Sequence, residues 1–273
     1  MDFSQPLDFS SLKARLSSRL PTAHKGDFGT LLIIGGSPGM SGAVQMAGQA
    51  ALRVGVGRVI IATHPDHAAF LNLTRPELMV YGVSDGSGLA PLLAQATHVL
   101  IGPGLAPGRF GESLFQVALS SHKPCVVDAG ALTMLAQQPF TYSQGIFTPH
   151  PGEAARLLKI STAEVQKDRR SAVRRLHSLL NGVVILKGHE TLICDGSGGI
   201  FMSPYGNPGM ATAGMGDILA GVIGGLWPQV QTGCFAAHLG VALHGSAGDV
   251  AAVEGERGLI ATDLLPHLRR LLG

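Results

Sequence analysis

The chain has 273 residues, room for one large α/β domain or two small ones. Hydrophobic residues make up 45% and charged residues only 14%, against roughly 25% charged in an ordinary soluble chain, so much of the surface is expected to be buried, in part within an oligomer. The formal net charge of +2, from 20 basic and 18 acidic residues, gives no reason to invoke nucleic acid or a membrane surface as a partner.

In chain order, a leading segment over 1–23 carries a short amphipathic helix over 10–20. Thr30 to Ile34 is an apolar run that ends in Gly35-Gly36, a buried strand entering a glycine loop, and an alanine-rich helix follows from Ala43 to Arg53. Further strands are predicted over Val59–Ala62, Val99–Ile101 (followed by Gly102-Pro103-Gly104), Pro124–Val127 (ending at Asp128) and Val183–Leu186 (ending at Lys187). Helical patterns cover 109–121, 151–158 and 162–180. Short apolar strands alternating with helices indicate a mainly parallel sheet covered on both faces. The end of the chain reads as a hairpin of 191–194 with 199–203, then long helices near 216–227, 232–252 and 262–271. There is no low-complexity linker, charge run or internal repeat, so 1–273 reads as a single domain.

No apolar run reaches the ~18 residues of a membrane span, and Met1 to Leu20 lacks the apolar centre of a secretory signal. Cys125, Cys194 and Cys234 lie far apart in apolar segments without metal-ligand spacing. They read as buried reduced thiols, which places the chain in a reducing, cytoplasmic compartment.

Chemistry in an open α/β sheet gathers beyond the carboxyl ends of its strands, where the glycine turns, Asp128 and Lys187 stand. Each glycine turn alone could be no more than a tight connection. No G-x-x-x-x-G-K-[ST] run occurs, and no acidic residue closes the second strand, which argues against a P-loop protein and a Rossmann dehydrogenase. The most informative segment is Asn207-Pro208-Gly209-Met210-Ala211-Thr212-Ala213-Gly214-Met215-Gly216-Asp217, directly before an apolar helix. Free N–H groups at that helix start can hold an anion. Asp217 in the first turn is either a helix-start carboxylate favoured by the dipole or the base that hydroxyl phosphorylation requires.

Ala213-Gly214-Met215-Gly216-Asp217 resembles the G-x-G-D anion hole of the ribokinase-like superfamily, and the run from Asn207 to Asp217 resembles the NAD(P)H-hydrate dehydratases within it. His24–Gly29, Ile34–Ser37 with Ser41–Ala43, Gly102–Gly104, Thr148–Glu153, Leu186–Thr191, His244-Gly245 and Leu259–Asp263 agree in the same order. The resemblance covers about 24 to 272 and implies a ribokinase-like three-layer sandwich. It implies Asp217 as catalytic base, Gly214, Met215 and Gly216 as anion hole, and Lys187, Gly188, His189, Glu190 and Thr191 with Gly216 as the nucleotide-binding set. Ala43, Gly104 and His150 match positions that contact the hydrated dinucleotide, and Asn207, Asp128 and Asp217 join that substrate set. Related kinases carry N-x-x-E with a magnesium-organising Glu. Here the run is His150-Pro151-Gly152-Glu153, which favours the dehydratase branch and makes Glu153 either a metal ligand or a capping residue. The family's D-A-D-A-L-N appears as Asp128-Ala129-Gly130-Ala131-Leu132-Thr133, without the second carboxylate and the Asn.

The implied function is dehydration of the S-epimer of hydrated NADH and NADPH. The resemblance implies ADP or ATP as the phosphoryl donor, with Mg2+, and a homotetramer; related bacterial chains often add an epimerase domain upstream, for which this sequence has no room, so the chain reads as either a stand-alone enzyme or a cut from a longer protein. A small-molecule hydroxyl kinase of the same superfamily and a catalytically silent nucleotide-binding protein remain as alternatives. Of the other polar residues, His64 and His67 read as ordinary loop or helix-start side chains, and His244 as packed and hydrogen-bonded. Arg169, Arg170, Arg174 and Arg175 read as a solvated helix face or an oligomer contact.

Overall fold

The computed structural model describes residues 4–138 and 140–273; Met1–Phe3 of the leading segment and Pro139 lie outside the described residues. Ten strands form one sheet: β1 (Gln5–Pro6), β2 (Thr30–Ile34), β3 (Arg58–Thr63), β4 (Leu78–Gly82), β5 (His98–Ile101), β6 (Cys125–Val127), β7 (Gly145–Phe147), β8 (Val183–Leu186), β9 (Leu192–Cys194) and β10 (Phe201–Met202). Their order is β1-β10-β9-β8-β7-β6-β5-β2-β3-β4. Strands β2 to β8 run parallel to one another, β9 pairs antiparallel with both β8 and β10, and β1 pairs parallel with β10.

The central strands are buried on both faces, which is why their sequences are continuous Val/Ile/Leu runs. Along β2, Leu31 and Ile33 enter one core while Leu32 and Ile34 enter the other. The first core is roofed by α1 (Phe9–Ala14), α2 (Ser41–Arg53), α10 (Met215–Leu226), α11 (Gly233–Ala251) and α12 (Leu264–Leu272). The second is roofed by α4 (Ala90–Gln95), α5 (Arg109–Ser120), α6 (Ala129–Gln137), α7 (Pro151–Leu158), α8 (Thr162–Lys167) and α9 (Arg169–Leu180). One short helix, α3 (Pro65–Ala68), follows β3. The result is the expected sandwich of helices, sheet and helices.

Small residues set how closely α10 approaches α2. A Cβ on Gly221 would stand 2.2 Å from the Ala47 carbonyl oxygen, and one on Gly225 2.7 Å from the Ala51 Cα. That contact fixes the helix carrying Asp217 against the helix carrying Ala43.

The expected elements are present, with some differences. The leading helix ends at Ala14, and Arg19 beyond it lies over the Phe28 ring, 3.7 Å from its centroid. The pattern over 162–180 is two helices, because Asp168 ends α8 at φ −144° and its side chain then accepts from Ser171 N at 2.9 Å to start α9. Strands β1, β4 and β7 and helices α3, α4 and α6 are not among the elements the sequence predicts. Edge strand β4 exposes Met79 and Tyr81, and β7 has three residues, too few to show a period.

Candidate active site

Strand order reverses between β2 and β5, and a crevice opens at such a switch point. The turns after these strands lie against each other: Gly36 N donates to Pro103 O at 3.0 Å and Ser37 N to Gly104 O at 2.7 Å. Space admits only glycine at the contact, since a Cβ on Gly35 would stand 2.0 Å from Pro103 O. A Cβ on Gly104 would stand 3.0 Å from the Ala43 Cβ, so Ala43 and Gly104, two of the expected substrate contacts, are neighbours.

Helix α10 starts at Gly214, whose φ of +90° is left-handed and suits glycine. Having no side chain, Gly214 offers no cap to the first-turn N–H groups. Those groups and the positive end of the helix dipole face outward as an anion site. Gly216 follows in helical conformation, and a Cβ there would stand 3.2 Å from Lys187 Nζ and 3.9 Å from Asp128 Oδ2.

Around this start sit one ammonium and three carboxylates. Lys187, at the end of β8, donates from Nζ to Asp128 Oδ1 at 2.7 Å and lies 3.9 Å from Glu153 Oε2. Asp128 is 1% exposed and also accepts from Thr148 Oγ1 at 2.7 Å. Burial would lower the Lys187 pKa, but Asp128, Glu153 and Asp217 together hold it above the usual lysine value. Burial, helped by the charge of Asp128, pushes the Asp217 carboxyl up to about 6, while Lys187 pulls the other way. Burial likewise pushes Glu153 up to about 7. A half-buried carboxylate that titrates close to neutrality beside an anion site suits a general base.

His150 and Glu153 close the start of α7. His150 Nδ1 accepts from Gly152 N at 3.0 Å and Glu153 N at 3.3 Å, and Glu153 Oε2 accepts from His150 N at 2.8 Å. Burial and the charges of Lys187 and Arg156 lower the His150 pKa, so its 3.4 Å approach to Glu153 Oε1 at neutral pH is a contact of a neutral ring. Both Glu153 oxygens thus face His150 and one faces Lys187. No group of three or more His, Cys, Asp or Glu suited to a metal ion exists among the described residues. The side chains present do not form a magnesium cage, and Glu153 occupies a capping position.

A cavity of about 520 Å³ adjoins the α10 start. Lys187, Gly188, His189, Glu190 and Thr191 form one wall, together with Gly216. Apolar Leu219, Val241, Met210 and Tyr205 form another. Asn207 also lines this cavity, away from the Ala43–Gly104 crevice. Its Nδ2 donates to Asp249 Oδ1 at 3.0 Å and its Oδ1 accepts from Gly209 N at 3.1 Å. A second cavity, about 530 Å³, lies between α6, α7 and α9 and has an apolar lining rimmed by Lys159, Arg174 and Arg175. It holds none of the carboxylates above.

The departures in the run after β6 have a local account. Ala129 takes φ +46°, and a Cβ on Gly130 would stand 1.5 Å from Leu105 O, so that backbone approach leaves no room for a side chain. Thr133 accepts from Arg156 Nη1 at 3.4 Å. Other expectations divide. Cys125 and Cys194 are buried and all three cysteines are free, but Cys234 is half-buried. His67 is buried beside Thr63 Oγ1 at 3.4 Å. His244 is buried in the cavity wall with Nε2 unpartnered among the described residues, and burial lowers its pKa to about 4. Arg169 is not on a solvated face: its guanidinium donates to main-chain carbonyls of Leu186, Lys187 and His189. Neither Thr148 nor Arg169 is a site residue in the sequence reading: Thr148 opens the Thr148–Glu153 run, but nothing local ties it to Asp128, and Arg169 has no signal beyond its helical pattern.

A parallel sheet with this switch point and a Gly-x-Gly-Asp helix start define a ribokinase-like α/β protein. A ribokinase-like superfamily protein from Enterococcus faecalis V583 has this fold at 28% identity with a TM-score of 0.91, covering 100% of this chain and 97% of that one. The profile of the NAD(P)H-hydrate dehydratase family matches residues 31–270, and the chain belongs to that family. It is 50% identical over 267 residues to a bifunctional NAD(P)H-hydrate repair enzyme of Coxiella burnetii, covering 97% of this chain and 55% of the relative. It is 38% identical to an ADP-dependent (S)-NAD(P)H-hydrate dehydratase of Neisseria meningitidis, covering 93% and 88%. An ADP/ATP-dependent NAD(P)H-hydrate dehydratase of Bacillus subtilis, co-crystallised with ATP/Mg2+, is 30% identical with a TM-score of 0.88 over 98% and 97% of the chains. The chain spans about half the length of the bifunctional relatives it matches.

Proposed function

We propose that this chain dehydrates the S-epimer of hydrated NADH and NADPH with ADP or ATP as phosphoryl donor. The observation that carries the reading is Asp217, half-buried and raised to about 6, beside the uncapped α10 start and one residue from the cavity wall. The nucleotide lies in the cavity over Lys187–Thr191 and Gly216. The hydrated dinucleotide lies toward Ala43, Gly104 and His150, with Asp128 behind them, while Asn207 belongs to the wall of the nucleotide cavity. Asp217 stands at the junction, as in-line transfer between two ligands requires.

Hydroxide is a poor leaving group near neutral pH. Asp217 accepts the proton of the ring hydroxyl while its oxygen attacks the terminal phosphorus and the P–O bond to the remaining nucleotide breaks. The first-turn N–H groups of α10, from Gly214, Met215 and Gly216 onward, stabilise the transferring phosphoryl. The ring nitrogen lone pair then expels phosphate, and loss of a ring proton restores the dihydropyridine. Mg2+ bound with the nucleotide would neutralise polyphosphate charge; of the residues present Glu153 would be the candidate to face it, and it is engaged in the α7 cap. The enzyme is cytoplasmic and a homotetramer, in keeping with free cysteines and a low charge fraction. No helix among the described residues is long and apolar enough to cross a membrane.

The test is incubation with hydrated NADH and ADP, then ATP, following dihydronicotinamide absorbance. Recovery that needs nucleotide supports the reading. A stable phosphorylated dinucleotide with no recovery would make the chain a kinase instead, and binding without turnover of either kind would make it a silent nucleotide binder.

A further inference from the structure

The segment Lys187–Thr191 carries two residues in left-handed space, Gly188 at φ +142° and Glu190 at φ +51°. The second costs on the order of 1 kcal/mol or more for a residue with a side chain, and such strain persists only where the surroundings hold it. Arg169, the first residue of α9, supplies that hold. Its Nη1 donates to the His189 carbonyl, and its Nη2 donates to Leu186 O at 3.1 Å and, more weakly, to Lys187 O at 3.5 Å. A Cβ on Gly188 would stand 3.1 Å from the same Nη2, so the guanidinium fills the space behind the segment.

The carbonyl and N–H of one peptide unit point in opposite directions. The units joining 187 to 188 and 189 to 190 turn their carbonyls to Arg169, so the N–H groups of Gly188 and Glu190 turn the other way, toward the cavity that this segment lines. Neither N–H donates to an acceptor among the described residues, whereas Lys187 N is used by Pro149 O at 2.9 Å. Two free N–H groups on a turn of this kind form an anion-binding concavity.

We propose that Arg169 is a positioning residue for the nucleotide: it holds Lys187–Thr191 in the form that presents these N–H groups and places a fixed positive charge behind a di- or triphosphate. The proposal rests on the nucleotide site proposed above. It assigns a function to a helix cation that touches neither ligand.

The test compares the wild-type chain with Arg169→Ala, Arg169→Lys and, as an exposed neighbour, Arg170→Ala. Calorimetry gives the ADP Kd, steady-state kinetics give KM for hydrated NADH, and thermal melts report folding. Wild-type protein that does not bind ADP would overturn the nucleotide site itself. Given that binding, Arg169→Ala should raise the ADP Kd about tenfold or more, in line with losing charge-assisted hydrogen bonds, and leave KM for hydrated NADH within about twofold. Arg169→Lys should recover only part, since an ammonium cannot span three carbonyls as a planar fork does. Arg170→Ala should match wild type. An unchanged ADP Kd in folded Arg169→Ala, or equal loss for both ligands, overturns the proposal. Should Arg169→Ala not fold, wild-type ADP affinity in Arg169→Lys overturns it.

Discussion

Replacing Lys187 with methionine removes the single ammonium that faces Asp128, Glu153 and Asp217. Asp128 is the first to suffer, since it is 1% exposed and loses a 2.7 Å partner, keeping only Thr148. Breaking a buried ion pair from one side costs about 3–5 kcal/mol. The effect on chemistry is separable. Lys187 lowers the Asp217 pKa against burial and the charge of Asp128, so its loss leaves only the two raising influences. Lys187 forms its ion pairs within 4 Å with Asp128 and Glu153 and acts on Asp217 from farther away; a unit charge at about 8 Å is worth roughly 2 kcal/mol at an effective dielectric of 20. A rise of about one pH unit, or ~1.4 kcal/mol, is therefore expected. In the wild type, kcat/KM should fall as pH drops through about 6, where Asp217 takes up its proton; in Lys187→Met that limb should move to higher pH. Stability responds with the opposite sign. The folded pKa of Asp217 lies above its ordinary 3.8, so what this group contributes is complete below 3.8 and lost as pH rises through about 6. The assay is the pH profile of kcat/KM for both proteins, with thermal melts alongside. Adding Asp128→Asn to Lys187→Met should restore much of the melting temperature and little activity. An acid limb that stays near pH 6 in a folded Lys187→Met protein would refute the electrostatic account.

Gly216→Val should weaken ADP binding and turnover together, because a side chain there would project within 3.2 Å of Lys187 Nζ where phosphate must approach. The obstacle is space, since Gly216 itself is helical; unchanged ADP affinity by titration would count against an anion site here. Ala43→Phe fills the crevice beside Gly104 and should abolish binding of hydrated NADH while sparing ADP. Equal loss of both ligands in calorimetry, or loss of neither, would contradict the two-ligand map. Sedimentation at micromolar concentration should give a tetramer, and a monomer would reject the proposed assembly.

Much of this was legible in the sequence because burial on both faces leaves a plain mark. Thr30–Ile34 and Val183–Leu186 are continuous apolar runs, and the glycine turns that follow β2 and β5 announce close backbone contact. The neighbouring of Ala43 and Gly104 needed the strand order, which places β5 beside β2 although β3 and β4 come between them in the chain. Asp217 was legible as a helix-start carboxylate, but its pKa depends on Asp128 and Lys187, which lie 89 and 30 residues earlier in the sequence. The sequence left Glu153 as ligand or cap. Its capping bond to His150 N depends on how β7 delivers the chain into α7. Arg169 shares a helical pattern with three other arginines, and it is the return of the chain through β8 that brings the Leu186 carbonyl to it.

The most direct test of the central claim is product stoichiometry in one reaction with hydrated NADH and ADP. Phosphate, the shortened nucleotide AMP and restored NADH are measured together, with Asp217→Asn as control. The account predicts one phosphate and one AMP per NADH restored and no accumulating phosphorylated dinucleotide. Asp217→Asn should lose ~10²–10⁴-fold in rate while still binding ADP. Restoration of NADH without ADP consumption, or near-normal turnover by Asp217→Asn, would contradict it.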